Sequence, residues 1–150
     1  MKQGHDIPVP AVRLIVVDSQ KRVLLLKRQN TNYGSGMWCL PGGKVEYGQT
    51  VEEAAISELR EETSLEAKSL KFLFYQDSLP EKPGEMHCIN FYFECLASGT
   101  IVLNEESSEF RWVAASEVTD FIITFRNDEA LRSFWRVRDG ETGQSHVDSE

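Results

Sequence analysis

Glu58, Glu61 and Glu62 stand at i, i+3 and i+4 in the stretch SELREETSL, Ser57 to Leu65. On an α-helix, at about 100° per residue, this spacing gathers three carboxylates within an arc of roughly 100°. Oxygen donors grouped this way suit a hard divalent cation, Mg²⁺ or Mn²⁺, which can bridge protein carboxylates to phosphate oxygens. The plainer reading of a glutamate-rich helix is a solvated face, and that reading requires the charges to lie away from the apolar stripe. Val51, Ala55 and Leu59 form the stripe here. Glu62 falls near its centre line with Glu58 beside it, while Glu53, Ser57 and Arg60 lie opposite. Like charges at this spacing destabilise a helix by about 0.2–0.5 kcal/mol per pair, and partial burial adds to the cost, so a compensating positive charge is expected.

The elements that position these residues are marked in the sequence. Thr50 with Glu53 three residues later forms a capping box, which predicts a helix from there to about Thr63. MWCLPGG before it, Met37 to Gly43, reads as a short strand entering a tight turn. Gly42 and Gly43 would permit unusual backbone angles there and let a carbonyl approach a metal or phosphate. Upstream, PAVRLIVVDSQKRVLLLKRQ, Pro10 to Gln29, predicts a β-hairpin of adjacent core strands, followed by a loop over NTNYGSG.

Downstream, LKFLFYQDSL and MHCINFYFECLA read as strands around the EKPGE turn, and EFRWVAA as another. Asn127 is placed to cap a last helix, DEALRSFWRV, whose Leu131, Phe134 and Trp135 would dock on the sheet. The polar RDGETGQSHVDSE lacks the apolar surface to order itself, giving one domain over residues 1–137 and a flexible tail over 138–150. Strands on both sides of a central helix, with a second helix at the end, imply an α/β (α+β) layered fold around a mixed sheet.

Composition narrows the partners. A length of 150 residues, 41% hydrophobic and 27% charged, suits one globular domain, and no apolar run approaches the ~20 residues that span a bilayer. The start, MKQGHDIPVP, has no signal-peptide pattern, so a cytoplasmic protein is expected. A net charge of −8 argues against binding a nucleic acid polymer. Cys39, Cys88 and Cys95 lack metal-ligand or disulfide spacing and read as small free thiols, and His5, His87 and His146 have no partner at metal-ligand spacing.

The stretch from Gly43 to Leu65 resembles the Nudix box, G-x5-E-x7-R-E-U-x-E-E-x-G-U, where U is a bulky aliphatic residue. Gly43, Glu58, Leu59, Glu61, Glu62 and Leu65 match in register. With Lys27, Arg28 and the MWCLPGG approach, the resemblance extends over roughly residues 9 to 120. It implies an α/β/α sandwich and a metal-dependent hydrolase that splits the pyrophosphate of a small nucleotide, a nucleoside triphosphate or an ADP-ribose-like nucleotide sugar. Glu58, Glu61 and Glu62 would be the catalytic metal ligands, with a carbonyl from Gly43. Three residues depart from the box: Gln49 replaces a glutamate, Ser57 an arginine and Ser64 a glycine. Loss of the first two together removes a charge pair rather than one partner of it. The departures motivate an alternative, a nucleotide-binding module with little or no turnover.

Further candidates flank the box. Arg28, at a strand end, is suited to bidentate phosphate contact. Glu105, Glu106 and Glu109 fall in an expected loop that would supply one more acidic ligand or base, with Glu106 and Glu109 carried as site candidates. Pro80, fifteen positions beyond Leu65, has a spacing similar to the ADP-ribose pyrophosphatase subgroup. Asn127 could read a base edge, and Tyr33, Trp38 or Phe91 could stack on one, although capping and core packing account for all four. The substrate, the attacked phosphorus and the oligomeric state, a homodimer included, stay open at this level.

Overall fold

The computed structural model describes residues 7–31 and 34–143. His5, Tyr33, His146 and the 144–150 part of the expected tail lie outside these residues. In chain order the elements are β1 (Val9–Val16), β2 (Val23–Arg28), β3 (Trp38–Cys39), β4 (Gly42–Lys44), α1 (Val51–Thr63), β5 (Glu66–Ser78), β6 (Cys88–Ser98) and β7 (Ser107–Val113). A 3₁₀ helix (Ala115–Asp120) and α2 (Asn127–Gly143) follow. One sheet has the order β4-β1-β6-β5 and the other β3-β2-β7. β1 runs parallel to β6, and the other strand pairs are antiparallel.

Alternation along the central strands feeds two cores. Val12, Leu14 and Val16 of β1 join Leu24 and Leu26 of β2 against Ala54, Ala55 and Leu59 of α1. Ile15 and Val17, with Val23 and Leu25, meet Ala130, Leu131 and Phe134 of α2 instead. Burial on both faces explains why β1 and β2 read as nearly unbroken apolar runs. The layers are helix, mixed sheet, helix, the sandwich that the resemblance implies. Among the described residues no helix is long and apolar enough to cross a membrane.

The hairpin expected over residues 10–29 is not formed as one. β1 and β2 share only the Val17–Val23 bridge and then part into different sheets. The cause is competition for an edge: β4 pairs with Ala11 to Arg13, and Leu14 N–H donates to the Pro41 carbonyl at 2.9 Å. The PGGK segment therefore occupies the side of β1 that a hairpin partner would need. Gly42 and Gly43 accordingly lie in a strand rather than a tight turn, and neither has a positive φ.

Two chain ends of helices also differ from expectation. Residues 138–143 of the predicted tail are helical, because Arg138 reaches back to pair with Glu94 of β6 and stacks on the Phe134 ring at 5.1 Å. At the end of α1, Ser64 takes the left-handed conformation (φ 68°) that the box glycine would supply. Its N–H donates to the Arg60 carbonyl at 2.9 Å and its Oγ to the Val102 carbonyl at 3.1 Å, bonds that offset the conformational cost.

Candidate functional site

The rotational setting of α1 is fixed at its first turn. Thr50 Oγ1 accepts from Glu53 N–H at 3.0 Å and Glu53 Oε1 accepts from Thr50 N–H at 2.9 Å, the capping box read from the sequence. Burial of Ala54, Ala55 and Leu59 then holds the helix against β1 and β4 with Glu58 and Glu62 facing the glycine strand.

Those glycines matter for the space they leave. Glu62 is 9% exposed, and its Oε1 accepts from Gly42 N–H at 3.3 Å. The Glu58 carboxyl lies directly over Gly43, where a methyl group would come within 2.5 Å of Glu58 Oε1. A side chain at Gly42 would strike the Val12 carbonyl oxygen. Both glycines are thus required by close approach.

Glu58 and Glu62 come within hydrogen-bonding reach of each other. Burial, then the neighbouring Glu58, pushes the Glu62 carboxyl well above the usual carboxylate range. Burial, with the charges of Glu61, Glu106 and Glu46, also raises Glu58. Glu61 does not join them at one point: it is exposed, and its Oε2 accepts from Ser57 Oγ at 3.3 Å. Among the described residues no three His, Cys, Asp or Glu side chains are grouped to hold one ion. The helical wheel fixed the direction of Glu61 but not its rotamer. Two carboxyls crowded together in a half-dry seat nevertheless match a hard divalent cation in charge and donor type.

Glu62 and the glycine strand border a cleft of about 1190 Å³ that reaches from Arg13 of one sheet to Arg28 of the other. Arg13 is close enough for its positive charge to draw the Glu62 carboxyl downward, though burial outweighs it. Its Nη1 donates to the Leu40 carbonyl at 3.1 Å, and its Nε is buried without a partner among the described residues. Arg13 and Arg28 both stack on the Phe125 ring, at 4.5 and 4.6 Å. Phe125 and Arg126 are consecutive left-handed residues (φ 61° and 56°), a strained pair held where the loop enters α2.

The other candidates divide. Arg28 and Glu106 line the cleft. Glu109 does not: it sits on β7 rather than in a loop, opposite Lys27, and pairs with Lys27 at 3.5 Å and Arg111 at 3.4 Å. Asn127 is fully buried, with Oδ1 accepting from Leu40 N–H and Nδ2 donating to Tyr92 Oη, so its amide is unavailable to a base. Trp38 packs edge-on against Phe121, and Phe91 packs beside the α1 core. Gln49 folds onto its own loop, accepting from Glu46 N–H at 2.9 Å, while Ser57 serves Glu61, so each replaced box residue has found a local partner. Arg13, Asn90 and Phe125 line the cleft without having been singled out. For the first two the signal was present, as a polar residue inside an otherwise apolar strand run.

A sequence profile of the NUDIX domain matches residues 7–134. The chain belongs to the Nudix family. An ADP-ribose pyrophosphatase of Methanocaldococcus jannaschii is 29% identical over 126 residues, covering 83% of this Nudix chain and 72% of the relative. The nucleoside triphosphatase NudI of Escherichia coli O139:H28 is 28% identical over 109 residues, 65% of this chain and 75% of its own. Among solved structures, a MutT NUDIX hydrolase from Burkholderia pseudomallei superposes with a TM-score of 0.72 at 26% identity, over 84% of this chain and 97% of that one. As a Nudix hydrolase the protein acts on phosphorus anhydrides, and hydrolases of this family generally need divalent metal cations.

Proposed function

We propose that this Nudix hydrolase uses Mg²⁺, with Mn²⁺ as substitute, to cleave the pyrophosphate of a small nucleotide, either a nucleoside triphosphate or a nucleoside diphosphate linked to a sugar, as in ADP-ribose. One observation carries the reading: Glu58 and Glu62, partly or wholly buried, crowd together on a glycine strand at the edge of a large cleft. Burying two carboxyls against each other costs stability, and groups perturbed in this way cluster at functional sites. The names of the two relatives, a pyrophosphatase and a triphosphatase, support both substrate options.

In this reading Glu58 and Glu62 would hold the cation, with the Gly43 carbonyl, and Glu61 would join them by turning its side chain away from Ser57. A bound divalent cation lowers the pKa of the attacking water and screens the phosphate charge. Gly42 N–H fixes the Glu62 carboxylate, and the bare Gly43 gives Glu58 its seat. Arg28 supplies a planar guanidinium to the phosphate oxygens, and Glu106, close enough to raise Glu58, is the candidate for a further ligand or base.

The test is phosphate and nucleotide release from a panel of nucleoside triphosphates, ADP-ribose and other nucleotide sugars, with Mg²⁺, Mn²⁺ or chelator. Turnover of one class that chelator abolishes is the expected result. Tight binding of a panel member with no turnover under any condition would replace this reading with the binding module.

A further inference from the structure

A chain of hydrogen bonds crosses the face of the sheet that looks toward α2. Leu40 N–H donates to Asn127 Oδ1 at 2.9 Å, Asn127 Nδ2 to Tyr92 Oη at 3.0 Å, Tyr92 Oη to Gln76 Oε1 at 3.0 Å, and Gln76 Nε2 to the Arg126 carbonyl at 3.3 Å. Burial pushes the Tyr92 phenol up to about 12, so the hydroxyl stays protonated and the chain keeps its direction. Asn90 shares this face, two residues from Tyr92 and directly opposite Gln76 in register. It is nevertheless left out. Its side chain lines the cleft at 6% exposure, and its amide has no hydrogen-bond partner among the described residues. Among the described residues the sealed side-chain atoms left without a partner are Arg13 Nε and Thr124 Oγ1, so the Asn90 amide opens on the cleft, where the polar edge of a ligand can take the place of solvent.

The position of Asn90 says which part of a ligand it would meet. Gly42, beside Glu62, is paired with Arg13, and Arg13 with Tyr92. Asn90 lies two residues along β6 from that row, about 7 Å at the usual strand rise, roughly the span of a ribose between phosphate and base. The cleft's cations are placed for other work. Arg13 and Arg28 stack on Phe125, Lys44 lies on β4 two strands across, and Arg126 is tied to the Asp77 carbonyl and Glu129. In register, Asn90 stands beside Ala11 and opposite Gln76, with Lys44 beyond Ala11 in the same row. The charges of Arg13 and Lys44 are felt as far as Cys88, so it is the amide itself, rather than any repulsion of anions, that suits this end to a flat ring with polar edges.

We infer that Asn90 is a specificity-determining residue whose amide reads the edge of the substrate's nucleobase. The inference rests on the reading of the cleft as a nucleotide site. An amide presents a donor and an acceptor side by side, and each base edge offers a complementary pair, as asparagine does with adenine elsewhere.

Asn90→Leu and the near-isosteric Asn90→Asp test this, with thermal melting to show that each variant folds. For Asn90→Leu the expected result is a KM for the nucleotide substrate raised roughly 10- to 100-fold, kcat within about threefold, and flattened preference among the four bases. Inhibition by methylenediphosphonate with Mg²⁺, a base-free pyrophosphate analogue, should be unchanged. Asn90→Asp, which trades the donor for an acceptor, should reorder the base preference rather than flatten it. Equal weakening of nucleotide and methylenediphosphonate, or an unaltered base preference in both variants, overturns the inference. If the parent turns over no panel compound, the hydrolytic reading fails separately. Binding of the four nucleoside monophosphates then decides for Asn90, with equal affinities in parent and Asn90→Leu counting against it.

Discussion

Two carboxylate sites in this molecule have opposite local chemistry. In the turn between β1 and β2, Asp18 accepts from Gln20 N–H at 2.9 Å, Arg22 N–H at 2.8 Å and Arg22 Nε at 2.8 Å. Burial works against its ionisation, but these bonds outweigh it and hold the carboxyl below its ordinary value. Glu62 and Glu58 have the reverse arrangement. Glu62 receives one N–H bond at 3.3 Å, lies against a second carboxyl, and is raised by burial more than Arg13 can offset. A carboxylate that serves only the fold is surrounded by donors. One kept short of donors is kept for something absent from the chain, and the deficit itself marks the site.

The largest expected effect comes from removing the deficit. Glu62→Gln keeps an acceptor for Gly42 N–H but abolishes a negative charge, so kcat should fall by roughly 10³-fold. Stability of the metal-free protein should move the other way. A carboxyl raised by folding contributes stability below its unfolded value of about 4.5, and that contribution is lost as pH rises through the folded value. Melting in chelator should therefore decline for the parent as pH increases from 5 to 8, and decline less for Glu62→Gln. Parallel melting curves would show that the pair carries no electrostatic deficit.

Gly43→Ala disturbs the same site through geometry alone. The three atoms nearest the added methyl all belong to the Glu58 carboxyl rather than to backbone, so the fold should hold with a stability change below about 1 kcal/mol. Displacement of a catalytic group by a fraction of an ångström should still lower kcat/KM about 10²-fold. Matching losses of stability and activity would instead make Gly43 a folding residue.

How much of this contrast could be read from the sequence depends on how local its causes are. The capping box at Thr50 and Glu53 was legible because its bonds span three residues, and so were β5, β6 and the identity of the Glu58–Glu62 pair. The pairing of β1 with β4 rather than β2 was not, because it depends on a segment some thirty positions away taking the shared edge. Glu61 was assigned by helical angle, which leaves its rotamer free to turn to Ser57. Glu109 was separated from Glu106 only by where β7 begins, and Asn127 was read as a local cap although its partners, Leu40 and Tyr92, are 87 and 35 positions away. Asn90 illustrates the remaining difficulty: a polar residue inside INFYFE is visible, but whether it is satisfied depends on which strand stands opposite.

The smallest effect tests the other side of the comparison. Asp18→Ala removes three bonds that close a turn containing the left-handed Lys21 (φ 67°), and should cost about 1–2 kcal/mol of stability. The pH trend has the opposite sign to that of Glu62: a lowered carboxyl stabilises above its unfolded value, and the benefit disappears as pH falls through the folded one. The gap in melting temperature between parent and Asp18→Ala should therefore be full at pH 7 and should shrink as the solution is acidified below about pH 4. Because the turn touches neither the glycine strand nor the cleft, kcat and KM should be unchanged. A pH-independent gap would mean that Asp18 acts by packing rather than as a carboxylate, and the two sites would then differ in burial alone instead of in how their charge is met.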